Sequence, residues 1–303
     1  MLASKYETCL LFNDQRKNLE SPYGEIRFKD NLTKVSPSDA ELSDSLTVHF
    51  KSLRRDSTLN RIIEQEMNGV RKIIPEAIWK NLSYSQKRWQ LFTVLYEEAI
   101  DYVSMDTLCI AISLLDRCYS TKPSIPSKAF KIYAIGTLFV ACKLTSDYTV
   151  AKKSFCKQLA PSLSIRELEK YEKIVLSLLS YNIYVLSLPS VESYLTPLIF
   201  QHWFFKTLSE EDSEQLMCEW QYMLIEIMKD CRFTAFRPSE IICASLWIIL
   251  DVMWPSRFVI TSFFYLCTSM DIEDDKENEL KYLKRFNDCI ELIFKKSPSF
   301  SRG

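Results

Sequence analysis

Glycine is almost missing from this chain, with 4 residues in 303. Neither GxGxxG nor a GxxxxGK loop can be written with so few, so phosphate-cradling glycine loops are excluded. The same scarcity argues against tight hairpins and for helices. Histidine is scarcer still, at His49 and His202 alone. A zinc ligand set and a nucleophile–histidine–acid constellation are therefore both unexpected. There are 10 cysteines but no CxxC pair, and most sit singly inside apolar helical patterns. They read as buried, reduced thiols of an intracellular protein. Neither sign of charge dominates: 38 Lys and Arg face 39 Asp and Glu, for a net charge of −1. A general nucleic-acid binder would carry a basic excess. No signal peptide opens the chain, and its apolar runs, such as Ile132–Cys142 and Ile241–Val252, are too short for a membrane span. No cofactor, metal, nucleic acid or membrane is expected.

What is present is helix after helix. Residues 1–56, polar and weakly periodic, are expected to form a flexible arm. Residues 57–82 read as a short amphipathic helix and a connection, with Leu59, Ile62, Ile63 and Glu66 along one face. Five helical patterns fill 83–182. Ser104 is placed to cap the second, Pro126 to open the third, and Ser164 with Glu167 to form a capping box on the fifth. The third is apolar on nearly every side, which belongs at the centre of a bundle. After a linker at 183–189, five more patterns fill 190–295, again with a mostly apolar third member, and 296–303 form a tail. The expected fold is all-α: two tandem five-helix domains.

Within this frame "AISLLDRCYS", residues 111–120, sets an acid beside a base in an apolar helix. Asp116 flanks the apolar stripe and needs a partner, whereas Arg117 lies nearly opposite it.

Three segments now carry a family resemblance. "TLCIAISLLDRCYS", "AFKIYAIGTLFVACKL" and "LEKYEKIVLSLLSYNI" follow one another at the spacing of the cyclin box, and "CRFTAFRPSEIICASLWIIL" resembles its C-terminal counterpart. The resemblance covers about 57–295. It implies a regulatory subunit without an active site of its own, which binds and activates a cyclin-dependent protein kinase as a heterodimer. The expected role is control of cell division, in the nucleus and/or cytoplasm. A transcriptional cyclin, or a cyclin-fold scaffold or basal transcription factor, are the alternatives. By motif position, the resemblance assigns Lys143 and Glu172 to the kinase-binding surface, within an apolar surround of Leu144, Leu176 and Tyr181. It also implies that Asp116 pairs with a base of the first helix, where Lys87 and Arg88 stand. The family's substrate-docking pattern is replaced at Gln86, Lys87, Trp89, Gln90 and Thr93, so that groove is not expected in its usual form.

Shorter signals lie outside the two boxes. Lys276-Glu277-Asn278 has the form of a KEN degradation signal, or is simply part of a charged loop before the last helix. Arg16 to Leu19 has the RxxL form. Either would recruit ubiquitin-ligase machinery. Ser21, Ser36 and Ser297 each precede proline, which fits either a proline-directed phosphosite or turn chemistry.

Overall fold

The computed structural model describes residues 39–53, 55–67, 82–99, 102–122, 127–145, 152–255, 257–268 and 276–296, and among these it is all-α. Two helices come first, α1 (Asp39–Leu53) and α2 (Ser57–Met67). The N-terminal box follows as α3 (Leu82–Ala99), α4 (Met105–Thr121), α5 (Ser127–Thr145), α6 (Lys152–Leu159) and α7 (Ile165–Leu178). The C-terminal box holds α8 (Leu188–Ile199), α9 (Trp203–Thr207), α10 (Glu210–Lys229), α11 (Pro238–Met253), α12 (Ile260–Leu266) and α13 (Lys276–Lys296).

Two of the three expected helix starts are observed, and Pro126 lies outside the described residues. The Ser104 side chain accepts from Thr107 N–H at the start of α4. Ser164 and Glu167 exchange the two bonds of a capping box on α7. Pro238 opens α11. The central helices are also those expected. Every residue of α5 from Leu138 to Cys142 is buried, and α11 buries all but Trp247 and Val252. The first of the five patterns expected over 190–295 is instead two helices, α8 and α9, broken at Phe200–His202. Pro197, near the end of α8, brings no N–H to the helix ladder. His202 opens α9 by accepting from Phe204 N–H through its Nδ1.

Two hydrophobic cores result, and their membership corrects the expected flexible arm. Residues 39–53 form α1, and Leu42, Leu46 and Phe50 are buried in the core of the C-terminal box with Leu59 and Ile63 of α2. The arm looked weakly periodic because α1 carries polar groups on its buried flank, and each finds a distant partner. Thr47 bonds Ser262 at 2.6 Å, Ser45 bonds His202 at 2.8 Å, and His49 bonds the Leu198 carbonyl at 3.1 Å. The chain's two histidines, far apart in sequence, stand with ring centroids 5.3 Å apart. Asp56 starts α2 by accepting from Thr58 and Leu59 N–H, and Tyr194 of α8 donates to the same carboxylate at 2.7 Å. Glu66, the polar member of the α2 stripe, accepts from Ser239 N–H at 2.9 Å and from the Ser239 hydroxyl at the start of α11.

Nine free cysteines lie among the described residues, and all but Cys218 are buried.

Candidate functional site: the face of α5 and α7

The α5 and α7 helices pack side by side, and one glycine sets how closely. A Cβ at Gly136 would stand 2.8 Å from Val175 Cγ2 and 3.1 Å from the Tyr171 carbonyl oxygen. Here a residue that weakens helices is kept because the neighbouring backbone occupies the space of a side chain. That approach brings the last turn of α5 beside the middle of α7. Lys143 there donates to Glu172 Oε1, and its ammonium also lies 5.2 Å from the Phe139 ring centroid. The lysine side chain is 45% exposed and the glutamate side chain 15%. So the ammonium sits at the rim with its stem on apolar surface, held by a carboxylate.

The residues expected as the apolar surround of this pair differ in exposure. Leu144 is 45% exposed and Tyr181 72% exposed, with Leu176 half-buried against the core. Tyr181 is held outward by the end of α7. Its N–H donates to the Leu176 carbonyl at 2.8 Å, and Ser180 and Tyr181 both take left-handed φ, 51° and 58°. Two consecutive non-glycine residues in that region carry strain, which the surrounding contacts must support. The structure pairs Lys143 with Glu172, sets Leu144 next to Lys143 and Leu176 one turn after Glu172, and places Tyr181 beyond the C-terminal end of α7.

The Asp116–Arg117 pair behaves as two separate devices. Asp116 is buried and accepts from Arg88 Nε at 2.8 Å, Arg88 Nη2 at 3.0 Å and Tyr84 Oη at 2.5 Å. Of the two bases considered, Arg88 is therefore the one that pairs with Asp116. Its remaining Nη1 donates to the Met228 carbonyl of α10 at 2.7 Å, so the bolt spans both boxes. Burial works against the Arg88 charge, but the adjacent carboxylate outweighs it and raises the guanidinium pKa. Burial, then the Asp116 charge, raises the Tyr84 phenol.

Arg117 has a role that sequence reasoning missed. Its Nη2 and Nη1 donate to the Asn182 and Tyr184 carbonyls at 2.6 and 3.2 Å, clasping the segment that leaves α7 for the second box. Placement opposite the apolar stripe signalled exposure but could not name main-chain acceptors 65 residues away. Asp106 holds the next stretch in the same manner, accepting from Ser187 and, at 2.9 Å, from Ser190.

In the region of the replaced docking pattern, Gln86 and Gln90 are exposed, Lys87 is half-buried and Trp89 is 49% exposed; the Thr93 side chain lies outside the described residues. The backbone of Lys276, Glu277 and Asn278 forms the first turn of α13; their side chains lie outside the described residues. Arg16, Leu19, Ser21, Ser36 and Ser297 also lie outside them.

Comparison with known proteins shows the family of this chain. The family model described as "Cyclin, N-terminal domain" matches residues 64–184. The chain is 55% identical over 290 residues to the "Meiosis-specific cyclin crs1" of Schizosaccharomyces pombe, covering 96% of both chains. Among solved structures, a chain of the CAK complex of Chaetomium thermophilum bound to ATP-gamma-S aligns with a TM-score of 0.49 at 15% identity, covering 88% of this chain and 82% of that one. Near-complete coverage at that identity to a named cyclin, with the N-terminal domain matched over α3–α7, establishes that this chain belongs to the cyclin family.

Proposed function

We propose that this cyclin binds and activates a cyclin-dependent protein kinase, and that it does so in the cell-division programme of meiosis. The observation that carries the reading is the Lys143–Glu172 pair, preformed where the last turn of α5 meets the middle of α7, with exposed Leu144 next to Lys143 in the chain. A rim ammonium already oriented by a carboxylate costs little to order on binding. Such a face can hold a mobile kinase element in its active position by contacting that state better than the other. The meiotic setting rests on the relative named above. The site of action is the nucleus or cytoplasm. Turnover through ubiquitin-ligase machinery reading Lys276–Asn278 or Arg16–Leu19 would complete the cycle.

Affinity purification from meiotic cells tests this directly. The native chain is expected to recover a protein kinase and its activity. Lys143→Glu and Glu172→Arg should each lower that recovery at least about tenfold. Their melting temperature should stay near native, because an exposed pair contributes only about 0–1 kcal/mol to folding. Full kinase recovery with both variants would refute the assignment.

A further inference from the structure

Round α7 from Glu172 lies a second surface with different chemistry. Arg166, Lys170, Lys173 and Ser177 are all exposed and recur at intervals of four, three and four residues. That spacing forms one stripe, turned about a third of the way round the helix from Glu172. Lys122, at the end of α4, faces the stripe across a shallow groove. The floor is apolar: Ile174 and Leu178 are half-buried there and Tyr133 is buried. Among the described residues lining the groove, Glu169 is the one carboxylate, and Lys152 already holds it at 2.6 Å. None of the four cations makes an ion pair with another described residue. In a chain of net charge −1, four such cations along one groove are a local concentration of positive charge.

We infer that this groove between α4, α5 and α7 binds an extended acidic segment of a partner protein, bearing carboxylates or phosphates beside an apolar side chain. Charge complementarity selects the anions. The half-buried Ile174 and Leu178 offer a seat for the apolar group, which a sugar–phosphate backbone would leave unused. The stripe from Arg166 to Ser177 is about 16 Å long at the helical rise, the span of roughly five extended residues. Three of the four cations are lysines, point charges that take either anion without a fixed fork. The inference does not rest on kinase binding, since none of Lys143, Leu144, Glu172, Leu176 and Tyr181 lines the groove.

Fluorescence anisotropy on the full chain without any kinase tests it. The probes are a labelled peptide with four glutamates around one leucine, and the same peptide with two phosphoserines replacing two glutamates. At least one should bind, less tightly at higher salt, and the tighter of the two identifies the anion. Lys170→Glu with Lys173→Glu should weaken that binding at least about tenfold. Lys206→Glu, on α9, should leave it within about twofold. The inference is overturned if neither peptide binds, or if the paired reversal binds like the native chain. It is also overturned if single-stranded RNA binds more tightly than both peptides and is lost with the same variants.

Discussion

At the scale of single residues, this cyclin separates charges that hold structure from charges that face outward. Asp116 and Arg88 are each 4% exposed in their side chains, so neither is screened by water. Their worth lies in mutual satisfaction: three donors meet one carboxylate, and the guanidinium's spare nitrogen finds the Met228 carbonyl. Asp116→Ala would leave a buried guanidinium without its counter-ion and should cost about 3–5 kcal/mol, read by urea denaturation. Adding Arg88→Met to it should return much of that loss, because the uncompensated charge goes with it. A single variant that melts like the native protein would contradict this account. The Lys143–Glu172 pair is the opposite case. Half in water, it contributes little to folding.

At the scale of helices, the crossing of α5 over α7 fixes where Lys143 and Glu172 meet. Gly136→Ala places a methyl against Val175 and the Tyr171 carbonyl, and backbone cannot yield as a flexible side chain would. The expected result is a loss of about 1–3 kcal/mol despite the better helix propensity of alanine, measured by thermal or urea unfolding. A gain in stability would show that the helices part freely. Much at this scale was legible in advance. Caps at Ser104 and Ser164, the all-round apolar α5 and α11, and the order of elements follow from local rules that need only neighbours in sequence. Lys143 and Glu172 came from a family pattern rather than from chemistry, since a helix-end lysine looks ordinary alone. The helix α1 was missed because its buried flank carries Ser45, Thr47 and His49, whose partners lie 149 to 215 residues away. Arg117 was underestimated for the same reason: main-chain acceptors leave no mark in composition.

At the scale of the whole molecule, two buried groups give opposing responses to acid. Burial, set against the Ser239 hydrogen bonds, pushes Glu66 from 4.5 up to about 7. Between those values the native state keeps a proton that the unfolded chain has released, so stability falls as pH rises, by at most about 3 kcal/mol. Burial, then the nearby His49, pushes His202 from 6.5 down to about 4. There the unfolded chain takes up a proton that the native state refuses, so stability falls as pH drops below 6.5. The two slopes overlap and oppose one another from about pH 4.5 to 6.5. Melting curves of the native chain should therefore be nearly level across that window. Glu66→Gln should lose stability on acidification, and His202→Gln should lose it as pH rises. Variants whose profiles both parallel the native one would remove these groups from the account. Both groups sit where the first helices meet the second box, and that junction has a consequence for synthesis. The helices α1 and α2 leave the ribosome before either box yet contribute to the core that is completed last. The N-terminal box can collapse while translation continues, but α1 and α2 must wait, apolar faces uncovered, until residues beyond 188 emerge. The second box is thus closed by helices that precede the first, and the polypeptide matures as a loop rather than as two beads made in turn.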